Sequence, residues 1–152
     1  MEAARPAVAA DRSRLIELAQ MERTQVGPRR GGDLWNRRES LRPVPDGVDT
    51  ALLEGVVIAG TILNYVVGFG VGRVDQLDDG SRLGVVDDFF VEEPARAVGV
   101  GEAMMNDLVA WFRGEGCFGI DALALPGDRA AKNFFESFGL KARLLTVHTP
   151  LV

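Results

Sequence analysis

One stretch of the sequence narrows the choice of fold more than any other, because its hydrophobic period changes abruptly across a glycine pair. Residues 82–91 (Arg82-Leu83-Gly84-Val85-Val86-Asp87-Asp88-Phe89-Phe90-Val91) have the β-branched and aromatic content of a strand. Residues 100–113 then place Met104, Met105, Leu108, Val109 and Phe112 along one side of a helix that Gly114 and Gly116 end. Between them lies Arg96-Ala97-Val98-Gly99-Val100-Gly101. Glycines at such a junction let the chain bend so that successive N–H groups point outward. The helix dipole adds about half a positive charge there. The combination is suited to an anion, and in particular to a diphosphate.

Two familiar phosphate loops do not fit. A dinucleotide fold places Gly-x-Gly-x-x-Gly directly after its first strand. Here the loop follows three strands that read as antiparallel, and Met104 stands where the third glycine would be. A Walker loop needs Gly-Lys-Ser/Thr, which does not occur.

The rest of the chain reads as ordinary globular sequence. Its 152 residues fit one domain, 1–152, with 47% hydrophobic and 26% charged residues. A net charge of −5 lacks the attraction for phosphate backbones on which nucleic-acid binding rests, so no nucleic-acid partner is expected. The longest apolar run, Ala51–Val71, is broken by Glu54, Asn64 and several glycines; it is read as strands rather than a membrane span. The opening residues lack the apolar core of a secretory signal, and a cytoplasmic protein is expected. A single Cys117 and a single His148 allow no disulfide or Cys/His zinc cluster, and no metal is expected. No Gly-x-Ser-x-Gly elbow accompanies the histidine, which is read as structural.

Along the chain, residues 5–8 are read as a first strand, and Asp11 as the cap of a helix carrying Leu15, Leu18, Ala19 and Glu22 at helical spacing. Gly27-Pro28 stops that helix. Arg29, Arg30, Arg37, Arg38 and Arg42 then surround Trp35, with a short helix near Leu34–Ser40 and a loop at Pro43, Pro45 and Gly47. Strands are expected at 50–59, 62–76 and 82–91, with turns at Gly60-Thr61 and Asp79-Gly80. Gly68, Gly70 and Gly72 alternate and so share one face, most simply to let a helix pack closely. Cys117–Leu125 reads as a strand. Asp128 then caps a helix with Ala131, Phe134, Phe135 and Phe138 at i, i+3, i+4 and i+7, ended by Gly139. Residues 141–149 give a last strand. The fold class is α/β, a mixed sheet with helices on its faces.

In this order, residues 85–140 resemble the GNAT superfamily of acetyltransferases. The family carries Gln/Arg-x-x-Gly-x-Gly/Ala after its fourth strand, which Arg96, Gly99 and Gly101 match. Its second signature, Asn, then Ala, Phe-Tyr and Gly-Phe, is similar to Asp128, Ala131, Asn133-Phe134-Phe135 and Gly139-Leu140. Asp87-Asp88-Phe89-Phe90-Val91 is similar to the Glu-Asp-Phe-Phe-Val of polyamine acetyltransferases.

The resemblance implies a mostly antiparallel sheet whose central strands 82–91 and 117–125 splay apart. It implies acetyl-CoA, or another acyl-CoA, as co-substrate: its pantetheine arm would lie against Phe89, Phe90 and Val91, and its diphosphate on the N–H groups of Val98, Gly99, Val100, Gly101, Glu102 and Ala103. Arg96 and Ala97 would shape the loop, and Asp128, Ala131, Asn133 and Phe135 would complete the site. The acceptor would be an amine of a small molecule or peptide, relieved of its proton by Asp87 or Asp88, directly or through water. The N–H of Val91 would meet the developing oxyanion. A homodimer is compatible with the apolar strand near 141–149.

Departures from the family pattern point to a second reading, a binding module with weakened or lost catalysis. Phe135 stands where the family has the Tyr that protonates the departing thiolate, and Tyr65 is the chain's only tyrosine. Val98 replaces a basic loop residue, Glu102 adds a negative charge, and Asp128 replaces Asn. The arginine run 29–42 lies where acceptor-side helices sit in the family and would suit an anionic acceptor, against the cationic one that the polyamine likeness suggests.

Overall fold

The computed structural model describes residues 1–39 and 46–152. The elements are β1 (Glu2–Pro6), α1 (Arg12–Val26), α2 (Gly32–Arg38), α3 (Asp46–Glu54), β2 (Val56–Ile62), β3 (Tyr65–Gln76), β4 (Arg82–Val91), α4 (Val100–Gly114), β5 (Gly119–Ala122) and α5 (Arg129–Ser137). The strands form one sheet in the order β1-β2-β3-β4-β5. Neighbours are antiparallel except β4 and β5, which run parallel because α4 carries the chain back between them. The expected mixed sheet with helices on both faces is what forms.

Each face holds its own apolar layer. On one, Leu15, Leu18 and Ala19 of α1 and Val48 and Ala51 of α3 cover Val57, Ala59, Phe69, Val71 and Phe90. On the other, α4 lies across β1, β2 and β3 and buries Met104, Met105, Leu108 and Phe112 completely. A fully buried side chain of this size stabilises the fold by about 1.5–3 kcal/mol. The alternating glycines are what let α4 come so close. A methyl group on Gly70 would lie 2.9 Å from Leu108 Cδ1, and one on Gly84 only 2.5 Å from the Phe112 ring.

The structure corrects several sequence readings. Residues 46–54 are helical, so the expected strand at 50–59 begins only at Val56. Asp46 and Asp49 favour the helix N-terminus there, and Val48 and Ala51 are buried at helical spacing. Gly60-Thr61 is a register shift inside the β2–β3 ladder rather than a turn. The reversal falls at Leu63-Asn64, both left-handed (φ 50° and 69°), the backbone of a tight hairpin.

The Asp79-Gly80 turn forms as expected, with Asp79 Oδ1 accepting the Ser81 N–H at 2.9 Å. β1 covers residues 2–6, and Asp11 does not cap α1 through its side chain. Its carboxylate instead takes Arg5 (2.7 and 3.0 Å) and the Val8 N–H (2.8 Å), tying β1 to the start of α1. Among the described residues, 141–149 form no strand, and the strand expected at 117–125 is reduced to Gly119–Ala122. The helix near Leu34–Ser40 is α2. Ser40, Arg42, Pro43 and Pro45 lie outside the described residues.

Candidate functional site

β5 pairs only with Leu83–Val86, so β4 continues alone for five residues and a gap opens beside it. At the same point the β3–β4 ladder slips. Val86 faces Gly72 while Asp88 faces Val71, leaving Asp87 as the extra residue of a β-bulge. The bulge has two effects. Side-chain alternation restarts after it, so Asp87 and Asp88 share the face that carries α1, as Phe90 does, while Phe89 and Val91 point toward α4 and α5.

The backbone phase changes too. Glu92 N–H bonds to Val67 O at 2.9 Å, so by alternation the N–H groups of Phe89 and Val91 turn away from β3 and into the gap.

The loop after β4 is shaped by left-handed residues at Ala97 (φ 65°) and Gly99 (φ 94°). Gly99 is the N-cap of α4, and its carbonyl accepts the Ala103 N–H at 3.1 Å. The amides of Val100, Gly101 and Glu102 precede that first bond and have no partner inside the helix. Arg96 fastens the loop. Its Nε donates to Val91 O at 2.7 Å, its Nη2 to Gln25 Oε1 at 2.8 Å, and its guanidinium lies 5.5 Å from the Phe90 ring centroid.

Together these elements enclose a cleft of about 520 Å³. Phe134 and Phe135 of α5 form one wall, packed on Phe89 at centroid distances of 5.1 and 5.8 Å. Asp128 caps α5 by accepting the Ala131 N–H at 3.0 Å, and its other oxygen takes Arg29 at 2.7 Å, so the loop after α1 reaches across to α5. Glu22 and Gln25 of α1 and Trp35 of α2 line the opposite wall.

Asp87 lines the cleft between these walls. Burial raises its pKa above the ordinary carboxylate value and Asp75 adds to the rise, while Arg73, bonded to both its oxygens at 3.0 Å, opposes it. Asp88, 1% exposed, lies beneath the surface of the same face.

Of the residues singled out from sequence, Asp87, Phe89, Phe90, Val91, Arg96, Ala97, Gly99, Gly101, Glu102, Asp128, Ala131 and Phe135 line the cleft. The side chains of five others do not. Asp88 is buried below it, Val98 is on the outer side of the loop, and Val100 is core. Ala103 has its amide engaged by Gly99, and Asn133 is on the exposed side of α5.

Tyr65 packs under Arg14 (4.8 Å) and lines no part of the cleft. Of the described arginines in the run, Arg29 reaches the site, while Arg37 and Arg38 pair with Asp33 and Glu39 at the surface. Glu22 was not foreseen, although the signal is in the sequence: it is a carboxylate on the apolar stripe of α1 and is only 5% exposed. Among the described residues no group of three or more His, Cys, Asp and Glu comes together as a metal site.

The sequence model of the acetyltransferase (GNAT) family matches residues 14–140. No protein of curated function matches the sequence significantly. Among solved structures, a mutant form of a Bacillus halodurans protein superposes with a TM-score of 0.82 at 18% identity, covering 97% of this chain and 99% of that one. An acetyltransferase of Trypanosoma brucei gives 0.69 at 21% identity, over 99% and 100% of the two chains. The aminoglycoside N-acetyltransferase AAC(6′)-Iy in complex with CoA gives 0.72 at 15% identity, over 99% and 94%. At these identities the structural likeness is one of fold.

Proposed function

The chain belongs to the acetyltransferase (GNAT) family, and on that basis we propose that it is a single-domain N-acetyltransferase moving an acetyl group from acetyl-CoA to an amine by direct attack. One observation carries the reading: the bulge at Asp87 and the early end of β5 turn the N–H groups of Phe89 and Val91 into a cleft that runs on to Gly99, Gly101 and Glu102 at the start of α4.

The chain's groups fit such a co-substrate. The amides of Gly101 and Glu102, with those of Val98 and Gly99 in the loop, offer a diphosphate site backed by the α4 dipole, while Val100 is fully buried. Arg96 holds that loop to the end of β4. Phe89 and Val91 present a strand edge to an amide-bearing arm. When bound, acetyl-CoA supplies an activated thioester carbonyl and a thiolate leaving group.

On the acceptor side, Asp87 takes the proton of the incoming ammonium, directly or through a water. Its raised pKa makes it a better base than a solvated carboxylate. Asp88 lies buried behind it. The Val91 N–H is directed into the gap as a donor for the developing oxyanion. An amine enters between Trp35, Glu22 and the paired Arg29 and Asp128.

The second reading, an acyl-CoA-binding module without turnover, is favoured by one feature. Phe135 is 7% exposed inside an aromatic cluster, and among the described residues no Tyr, Cys, Lys or His side chain lines the cleft to protonate a thiolate. A CoA thiol with a pKa near the ordinary thiol value of about 8.5 leaves without such help, which supports the enzyme reading.

Calorimetry with acetyl-CoA, followed by thiol release with a panel of small amines, tests both. Binding in the micromolar range with amine-dependent release supports the transferase. Binding without release for any amine supports the module, and no binding ends both.

A further inference from the structure

From Asp87 to Val91, β4 is held on one edge only. β5 ends opposite Val86, so this stretch pairs with β3 alone, and it does so directly after a bulge. A strand placed like that keeps a fixed course only if something besides its ladder bonds holds its end.

Two arginines do so. Arg96 donates to the Val91 carbonyl at 2.7 Å. Arg14, in the first turn of α1, holds the next residue: its Nη2 lies 3.0 Å from Glu92 Oε2, and its Nε donates to Val66 O at 2.8 Å. Glu92 N–H itself bonds Val67 O at 2.9 Å. One guanidinium thus ties the end of β4 to the start of β3 beside their ladder bond.

The tie is sheltered. The Arg14 and Glu92 side chains are 16% and 19% exposed, so water and salt screen the pair less than they screen one at the surface. Tyr65, the chain's single tyrosine, covers the guanidinium, its ring centroid 4.8 Å from Arg14 Cζ. Arg14, Tyr65 and Glu92 do not line the cleft; Arg14 and Tyr65 face a separate groove with Ser13, Glu17 and Asn64.

What these residues act on is the backbone of Val91. The peptide joining Val91 to Glu92 has its carbonyl on Arg96 and its N–H on Val67, and the Glu92 carboxylate anchors it a third time. The N–H of Val91 adjoins that peptide and turns into the gap. A donor for an oxyanion is worth most when its direction is set before the reaction.

We propose that Arg14 is a positioning residue for the transfer, holding the Val91 N–H in line with the developing oxyanion through its grip on Glu92. The proposal rests on the acetyltransferase reading above.

Arg14→Met keeps an unbranched stem under Tyr65 and removes the grip. The kcat with amine should fall by about 10- to 100-fold, the effect of a misplacement near 1 Å, while calorimetry gives an unchanged acetyl-CoA affinity. Glu92→Leu should match it, and Arg14→Met/Glu92→Leu should be no worse than either alone. Glu92→Gln still accepts from the guanidinium and should lose less; it also serves if Arg14→Met does not fold. Glu17→Gln removes the other, exposed partner of Arg14 and should leave kcat unchanged. The Val91 amide resonance needs no turnover, and it should shift in Arg14→Met while that of Gly101 stays.

An unchanged kcat in Arg14→Met, additive losses in the double variant, or a kcat that falls only together with acetyl-CoA affinity would each overturn the proposal. So would a Val91 resonance that stays in place, whether or not any amine gives thiol release. Absence of release in the wild type counts against the transferase reading, and the grip on Val91 is then judged by that resonance alone.

Discussion

The two walls of the cleft are built by different means. On the proposed reading, the co-substrate wall comes from the end of β4 after the bulge, the Gly99 loop, the start of α4 and the aromatic face of α5, and the polar groups it offers are mostly main-chain amides. The proposed acceptor wall is assembled from Glu22, Gln25, Trp35 and the paired Arg29 and Asp128, with Asp87 between the two walls; these residues are drawn from distant parts of the chain and present their side chains. An amide grip depends on backbone donors, so it tolerates side-chain changes such as Val98 and Glu102 better than a side-chain site would. The acceptor wall has no such tolerance. On the proposed reading, selectivity for the amine is expected from that wall, and the two can be perturbed separately.

The largest separate effect is expected at the base. Asp87→Asn keeps the size of the side chain and its contact with Arg73 but cannot take a proton. Turnover with amine should fall by about 10²–10⁴-fold, the usual weight of a positioned base, while calorimetry shows acetyl-CoA affinity unchanged. Equal losses in both would mean that Asp87 supports the strand instead of the chemistry.

The converse perturbation lies in the loop. Gly99 is left-handed at φ 94°, and Gly99→Val carries a strain of about 1–2 kcal/mol there. Acetyl-CoA affinity should weaken about tenfold, the equivalent of 1.4 kcal/mol. The pH profile of the remaining activity should not move, because the acceptor wall is intact.

The same division explains what could be read from the sequence. The loop, the caps Asp128 and Gly139 and the stripe on α4 are local signals, in which neighbouring residues carry the whole pattern. β4, from Arg82 to Val91, was legible for the same reason. The bulge was not, because it depends on register against Val71 and Gly72, which no window along β4 contains. Helix α3 was hidden because its short apolar pattern runs into the buried β2, and the two read together as one strand. Glu22 reaches the site only because α1 crosses beside the open end of β4. Such a side chain is found by tertiary contact, and it lines the proposed acceptor wall.

A smaller effect is expected where the two walls meet. Phe135 lines the cleft from within the aromatic cluster. Phe135→Tyr adds a hydroxyl that can protonate a thiolate. The gain in kcat should stay below about tenfold, since a thiol of ordinary acidity already leaves readily. Acetyl-CoA affinity should be unchanged. If wild type and variant both bind acetyl-CoA and neither releases thiol, the missing acid is not the reason for inactivity, and the module reading stands.

The smallest effect on rate, and the sharpest on mechanism, is expected at Arg73. Its guanidinium holds both oxygens of Asp87 from outside the cleft and lowers a pKa that burial and Asp75 raise. The base works as a carboxylate, so activity rises with pH through the Asp87 ionisation and is lost below it. Removing the cation in Arg73→Met favours the protonated form, so the acidic limb of the profile should move to higher pH. Well above that limb Asp87 is ionised in both proteins, and the plateau rate should be the same. A kcat/KM profile for both variants separates the outcomes. A limb that moves upward over a constant plateau identifies Asp87 as the titrating base. A plateau that drops with the limb in place makes Arg73 a prop for the strand, and moves the search for the base to Asp88 or Glu22.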